Sequence, residues 1–181
     1  MMPEQGTPRA EAVKPMPPSL DELLGHSRTV FLVCFGLTRN RADAEDLAQE
    51  TYLRACRQID RLPGGDAAKA WLFRVARNVC LDHLRRRQLD IFSYGKVADQ
   101  TLAAGDPHED LVRRERNAAL SRALGRLPRR LREVLVLREY GELSYEQIAQ
   151  ALRIELGTVM SRLHRARRKL AEAVLKSGEL R

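Results

Sequence analysis

The sequence predicts an all-α fold made of two small helical domains joined by a flexible linker. Apolar residues recur at helical spacing in several long segments, and no segment shows the alternation that is typical of a strand. Charged residues make up 31% of the 181 residues and aromatic residues only 5%, a composition typical of helical proteins with aliphatic cores. Residues 89–108 show no sustained period and contain glycine, proline and acidic residues. We therefore predict that they form the linker.

The first helical domain is predicted at residues 19–88, after a disordered tail at residues 1–18. The tail contains five of the eight prolines and little that could be buried. Ser19 is positioned to cap a first helical segment, and "RLPGGD" interrupts the chain between two later helices. The predicted helical segments run from Ser19 to Leu37, from about Arg41 to Ile59, and from Asp66 to the arginines Arg85, Arg86 and Arg87.

The second helical domain is predicted at residues 109–181. Pro128 ends its first helix, and Gly141 is the C-terminal stop of its second. Ser144 precedes Gln147 by three residues, which is the spacing of a capping box. The predicted helices run from about Glu109 to Leu127, from about Arg130 to Tyr140, and from Ser144 to a short turn at residues 153–155, before the cationic segment "IELGTVMSRLHRARRKL".

The cationic segment, residues 154–170, combines an apolar stripe with a polar face. At 100° per residue, four apolar residues fall within about 60° of one another: Val159, Leu163, Ala166 and Leu170. Four polar residues fall together on the far side: Thr158, Ser161, Arg162 and Arg165. A capped helix, a short turn and such a helix form the pattern of a helix-turn-helix, whose second helix offers arginine and hydroxyl groups to base edges in the DNA major groove. Further along, two residues lie where this helix would pass the phosphate backbone: Arg168 and Lys169.

The charge distribution favours a polyanionic partner for the second domain. The chain has 32 Lys and Arg against 24 Asp and Glu, a formal net charge of +8 and a pI near 9.9. Residues 109–181 alone contain seven more basic than acidic residues. On charge alone, a solvated basic face explains this surplus as well as a nucleic-acid surface does. The capped helix that precedes the cationic segment favours DNA binding over a merely solvated face.

Several classes of protein find no support in the sequence. No apolar run is long enough for a membrane span, so we predict no membrane insertion, and the Pro-rich N-terminus lacks the apolar core of a secretory signal. Cys34, Cys56 and Cys80 form no CxxC pair and lie in apolar helical patterns, so we predict core cysteines in a reduced, cytoplasmic protein. No phosphate-binding loop, metal-ligand spacing or nucleophile cluster is apparent. We therefore predict no cofactor, no metal and no catalytic residue.

Two blocks of the sequence carry a family resemblance. The second domain contains "LSYEQIAQALRIELGTVMSRLHRARRKL", and the first contains "ADAEDLAQETYLRA" and "AWLFRVARNVCLDHLRRR". These blocks resemble regions 4 and 2 of the extracytoplasmic-function (ECF) RNA polymerase sigma factors, group IV of the primary-sigma-like family. Their order and spacing match, and they cover most of the chain. The resemblance implies a transcription initiation factor.

A contact with core RNA polymerase is the first implication. In the family, an acidic region 2 helix docks on the clamp coiled coil of the β′ subunit, and the β subunit is a further partner. The matching helix carries a polar stripe with one apolar member: Asp43, Asp46, Gln49, Glu50 and Leu53. The pattern alone would favour an ordinary solvated face, and the resemblance reverses that preference.

Melting of the promoter −10 element is the second implication. Opening a duplex requires cations for phosphate, a flat ring for stacking and a polar group for an extruded base. The matching residues lie on the third helix: Trp71, Arg74, Arg77, Asn78 and Arg85. The family places a base-reading residue at the position of Asn78. Trp71, taken alone, is more typical of a core residue.

The resemblance thus implies a factor that binds promoter DNA and reads a −35 element through the cationic segment. It also implies regulation by an anti-sigma factor in a stress response. One rival is a decoy that only titrates an anti-sigma factor, although intact Arg162, Arg165 and Asn78 speak against it. An enzyme is a more distant rival.

The sequence departs from many helix-turn-helix proteins at Arg153, where glycine is common. A left-handed backbone there would cost a non-glycine residue roughly 1 kcal/mol.

Overall fold

The computed structural model describes residues 16–62, 64–94 and 111–177. All regular structure within these residues is helical, which confirms the predicted all-α class. Most of the predicted tail and most of the predicted linker lie outside the described residues. The α-helices are α1 (Leu20–Leu24), α2 (Ser27–Thr38), α3 (Arg41–Cys56), α4 (Asp66–Tyr94), α5 (Leu111–Arg126), α6 (Arg129–Glu139), α7 (Tyr145–Leu152) and α8 (Leu156–Ser177), with a short 3-10 helix at Ile59–Arg61.

Two helix boundaries differ from the sequence-based expectation. The first predicted helical segment is broken at Gly25 and His26, so that α1 and α2 are separate helices. At the other end of the domain, α4 continues to Tyr94, six residues into the segment predicted as linker. No glycine or proline occurs between Asp66 and Tyr94, so the backbone of that segment meets no local barrier to helix.

Polar caps fix the starts of three helices. Ser19 and Glu22 form a reciprocal capping box at α1, and Ser144 and Gln147 form the predicted capping box at α7. At α3 the side chain of Asn40 accepts a hydrogen bond from the backbone N–H of Asp43, at 3.0 Å. Each cap satisfies N–H groups that the helix itself leaves without a partner.

Helices α2, α3 and α4 pack together to form the core of the first domain. Val33, Leu72 and Phe73 are fully buried there. Two of the three predicted core cysteines are also buried, Cys34 on α2 and Cys80 on α4, whereas Cys56 is exposed at the end of α3. The neighbouring Cys34 thiol, followed by burial, raises the pKa of Cys80. The prediction of a core cysteine was therefore wrong for Cys56, because it lies on the same face of α3 as the exposed residues Gln49 and Leu53.

Helices α6, α7 and α8 form the core of the second domain, and α5 packs against α8. The two domains also pack on each other, since α2 contacts α6 and α4 contacts α7. Buried residues of both domains belong to one continuous apolar cluster. The sequence predicted two domains, and its local patterns contained no indication of this contact.

Candidate nucleic-acid interface

The helix-turn-helix of the second domain is closed by an unusual residue. Arg153 follows α7 in the left-handed region, with φ 52° and ψ 53°. The next residue, Ile154, donates its N–H to the carbonyl of Ala149 at 3.1 Å, the six-to-one bond of a Schellman turn. The backbone therefore has the left-handed conformation considered for Arg153, and the turn sets the angle at which α8 leaves α7.

The two faces of α8 lie as the helical spacing predicts. Val159, Leu163 and Ala166 are at most 1% exposed, and Leu170 packs at the margin of the core. The opposite face is open to solvent at four residues, Ser161, Arg165, Arg168 and Lys169, and half-buried at two, Thr158 and Arg162. All six predicted −35 residues thus share one accessible side of α8.

Local hydrogen bonds order part of this outer face. Arg165 donates from Nε to the carbonyl of Ser161 at 3.2 Å, and the Ser161 hydroxyl donates to the carbonyl of Thr158 at 3.1 Å. Arg162 forms no hydrogen bond or ion pair with another described residue. Its donors are thus available to an external acceptor such as a base edge.

A different arginine ties α8 to its own domain. Arg167 donates to Glu139 at the end of α6, at 2.9 Å, and this bond is the main cause of its raised pKa. Both side chains are about half exposed, so the pair contributes little to stability. The basic residues of α8 therefore divide between a solvent-facing set and one contact with α6.

The predicted −10 residues on α4 do not all point outward. Asn78 and Arg85 are exposed and Arg74 is half-buried. Trp71 is half-buried and packs against the first core, in line with the expectation for its ring taken alone. The exception is Arg77, which points towards the second domain.

The side chain of Arg77 reaches a buried carboxylate of α6. Its Nε and one terminal nitrogen donate to Glu133 Oε2 at 2.8 Å and 2.7 Å, and the other terminal nitrogen donates to Asn78 Oδ1 at 3.0 Å. Glu133 is 3% exposed. In this conformation Arg77 is engaged inside the protein, and sequence reasoning missed its partner. The available signal was a glutamate at a core position of the apolar run "LREVLVL".

The predicted polymerase stripe on α3 is exposed over most of its length. Asp46 and Gln49 are open to solvent, and Leu53 is 55% exposed, which is unusual for leucine. Glu50 is half-buried and bonds Arg54 at 2.7 Å. These four residues follow one another along one side of α3, with the apolar Leu53 at the C-terminal end.

Asp43 differs from the rest of the stripe. Its carboxylate is 21% exposed and accepts a hydrogen bond from Arg87 of α4 at 2.9 Å. His83 of α4 lies 3.2 Å from the same oxygen. The expectation of an exposed Asp43 was therefore wrong, because two basic residues of α4 pack over the first turn of α3.

Two kinds of feature are absent from the described part of the chain. No helix among those residues is long and apolar enough to cross a bilayer. No group of three or more His, Cys, Asp and Glu side chains within them is placed to hold a metal ion.

Comparison with known families matches both domains. The family described as Sigma-70 region 2 matches residues 24–89, which include α2, α3 and most of α4. The family described as Sigma-70, region 4 matches residues 117–170, which include the helix-turn-helix. The region 2 match covers α3 and most of α4, which contain the candidate polymerase and −10 residues. The region 4 match covers α8 up to Leu170, which contains the candidate −35 residues.

Individual relatives show the same similarity over most of the chain. The ECF RNA polymerase sigma factor SigE of Mycolicibacterium smegmatis is 36% identical over 88% of this chain and 63% of its own length. The ECF RNA polymerase sigma factor SigW of Bacillus subtilis is 32% identical over 78% of this chain and 80% of its own. The chain thus spans a little under two thirds of the SigE relative.

A solved structure extends the likeness to three dimensions. The sigma factor RpoE from Bartonella quintana, crystallised with the anti-sigma factor NepR, is similar with a TM-score of 0.74 and 29% identity. The match covers 86% of this chain and 95% of the other. It includes both domains, so the relative placement of the two helical bodies is also similar.

Proposed function

The chain belongs to the ECF family of RNA polymerase sigma factors, and on that premise we propose how its surfaces direct core RNA polymerase to specific promoters. The observation that carries the proposal is the outer face of α8. It is cationic, accessible and set on a helix-turn-helix. The other surfaces follow from α3 and α4 of the first domain.

The −35 element is read by α8 in the major groove. Arg162 is half-buried and its donors are bonded to no other described residue, so they are available to a base edge. Arg165 is ordered beside it by its bond to the carbonyl of Ser161, and its terminal nitrogens offer further donors to base edges. The Ser161 hydroxyl, whose proton goes to the carbonyl of Thr158, can accept a hydrogen bond from a base. Arg168 and Lys169 lie one to two turns further along, where contacts with phosphates set the register of the helix on the duplex.

The −10 element is opened by the exposed face of α4. Asn78 offers an amide to the edge of an extruded base, and Arg74 and Arg85 offer cations to the strand. Trp71 is half-buried, so only the exposed part of its ring is available for stacking. Arg77 lies on the same helix and would join this set once it leaves Glu133.

Core polymerase is bound by the surface of Asp46, Gln49, Glu50 and Leu53. The carboxylates of Asp46 and Glu50, followed along the helix by the exposed Leu53, complement a basic partner that also offers an apolar contact. Charge complementarity of this kind governs register and partner choice. We assign this surface to the clamp coiled coil of the β′ subunit. The second domain is assigned a contact with the β subunit.

We further propose that the protein acts in the cytoplasm without a catalytic reaction of its own and is held by an anti-sigma factor until a stress signal arrives. The structural relative was crystallised with an anti-sigma factor, which supports this type of control. The two-domain arrangement shared with that relative offers such a partner surfaces on both helical bodies.

Transcription in vitro tests the whole proposal. Core polymerase with the purified chain should start transcripts on genomic fragments, and sequencing the 5′ ends should reveal shared −35 and −10 elements upstream. Core polymerase alone and the chain with Arg162→Ala serve as controls. If the wild-type chain yields no starts above core alone while it still binds an anti-sigma factor, the chain is a decoy and not an initiation factor.

A further inference from the structure

The contact between the two domains is closely fitted. A Cβ atom placed on Gly36 of α2 would lie 2.9 Å from Val136 and 2.9 Å from the ring of Tyr140, both in the second domain. Such a distance is shorter than real Cβ atoms tolerate, so only glycine permits this approach. Val136 is 1% exposed. The packing is therefore as dense as in a protein interior.

The interdomain ion pair between Arg77 and Glu133 lies in the same contact. Both hydrogen bonds from Arg77 fall on one oxygen of Glu133, while the other oxygen lies 3.3 Å from Nε of Arg129. A carboxylate that is almost fully buried loses its hydration and depends on such partners. Glu133 thus holds Arg77 in the way that a DNA phosphate would hold it, with a charge-assisted bond to an anionic oxygen.

The closed arrangement cannot span a promoter. The −35 and −10 elements are about 25 base pairs apart by position, which is about 85 Å along B-DNA. A compact body of roughly 150 residues has a radius of gyration of about 15 Å and hence a diameter of about 40 Å. The recognition helix α8 and the −10 face of α4 therefore cannot both reach their elements while the domains are packed together.

We propose that the interdomain ion pair is an autoinhibitory contact, in which Glu133 occupies Arg77 of the −10 face and keeps the two domains closed. Opening then performs two tasks at once, because it frees Arg77 for the melted strand and lets the domains separate. This inference rests on the proposed function of α4. Either polymerase or DNA opens the contact by binding the open state more tightly than the closed one.

Basic residues around the contact limit its strength. Burial, followed by the nearby Arg39, lowers the pKa of Arg132, so like charges from the two domains approach each other. Arg39 is placed against Gly125 of α5 in the second domain. Repulsion between these cations offsets part of the attraction at Glu133. The closed state is thus suited to a contact that must open.

The test compares the free wild-type chain with Glu133→Gln. Small-angle X-ray scattering should show a larger radius of gyration for the variant. Fluorescence anisotropy should show tighter binding of a single-stranded −10 oligonucleotide, by about tenfold if the closed state holds about nine tenths of the wild-type molecules. Glu139→Gln removes the same charge from the same helix on its exposed side, and should leave both measurements at the wild-type value.

A double variant separates release of Arg77 from a general charge effect. In the Arg77→Ala background, Glu133→Gln should bring no gain in oligonucleotide binding, because the group that it frees is absent. A gain that persists there, or one that Glu139→Gln reproduces, overturns the proposal. An unchanged radius of gyration together with unchanged binding in Glu133→Gln also overturns it.

A steric variant keeps the proposal open to refutation if Glu133→Gln fails to fold. Gly36→Leu places a side chain against Val136 and Tyr140 without altering any charge, and should also expand the chain and tighten oligonucleotide binding. A folded but compact Gly36→Leu chain with wild-type binding overturns the closure. Failure of the proposed function gives a different result, since expansion in scattering would then occur without any gain in −10 binding.

Discussion

The guanidinium of Arg77 and the carboxylate of Glu133 meet across the two domains, with donor–acceptor distances of 2.8 Å and 2.7 Å. Asn78, the next residue, accepts a further bond from Arg77 but remains exposed. Two adjacent residues of one helix therefore differ in their availability to DNA. Asn78 is exposed in the closed chain, whereas the guanidinium of Arg77 is engaged by Glu133.

We expect Asn78→Ala to separate promoter opening from promoter binding. The change removes an amide that lies on the surface, so the closed complex should form almost normally while −10 opening slows. A fluorescent base in the −10 region measures the opening rate. A template with a pre-melted bubble should restore transcription, and failure of that rescue would remove Asn78 from the melting step.

For the −35 element, we expect Arg162→Ala to weaken binding of a cognate duplex by about 1–3 kcal/mol, with a smaller loss on a scrambled duplex. The reason is that Arg162 has donors free for a base edge on the outer face of α8. Arg167→Ala is the matched control on the same helix, because its guanidinium is bonded to Glu139. Equal losses on both duplexes would identify Arg162 as a phosphate contact.

The polymerase surface is tested by charge reversal. Asp46→Lys with Glu50→Lys should fold and bind −35 duplex, since solvated surface changes alter stability by about 0.5 kcal/mol or less. It should lose core polymerase in a pull-down, because like charges at an interface cost several kcal/mol. Glu45→Lys with Asp60→Lys makes the same change at other exposed sites of the first domain. Wild-type recovery of polymerase by the first pair would refute the clamp assignment.

Asp43 is expected to act mainly on stability. Its carboxylate accepts the Arg87 bond and lies beside His83, so Asp43→Asn should lower the free energy of unfolding by about 1–2 kcal/mol in urea titrations. Asp46→Asn, on the same helix and exposed, should change it by about 0.5 kcal/mol or less. Equal stability of the two variants would show that the contact of Asp43 with α4 contributes nothing.

The elements that sequence predicts well are those fixed by neighbours along the chain. The capping box of Ser144 and Gln147, the stop of α7 and the two faces of α8 all depend on residues within a few positions of one another. Their physics is local, so periodicity and turn chemistry suffice. The −35 candidates were accessible for the same reason.

The features that sequence missed depend on distant partners. Arg77 finds Glu133 at a separation of 56 residues, and Asp43 finds Arg87 at a separation of 44. A helical pattern shows which residues share a face but not which other helix covers that face. The contact of Gly36 with Tyr140 also joins residues that are far apart in the sequence. The residues next to a glycine within a helix do not predict such a contact.

Arg153 allows the turn of the helix-turn-helix to be tested separately from DNA contact. Its φ of 52° places a β carbon where the left-handed backbone is strained. Arg153→Gly should therefore exceed Arg153→Ala in unfolding free energy by about 0.5–1 kcal/mol, even though glycine also gains freedom in the unfolded chain. Both changes remove the same charge and the same side chain, so the difference between them reports the strain of the left-handed backbone less the freedom of glycine in the unfolded chain. Gly65, at φ 59° with open space around it, supplies the reciprocal case, in which Gly65→Ala should lose a similar amount. Less stability in Arg153→Gly than in Arg153→Ala would mean that the freedom glycine gains in the unfolded chain outweighs any relief of strain, and that the left-handed backbone at this position imposes little strain on the turn.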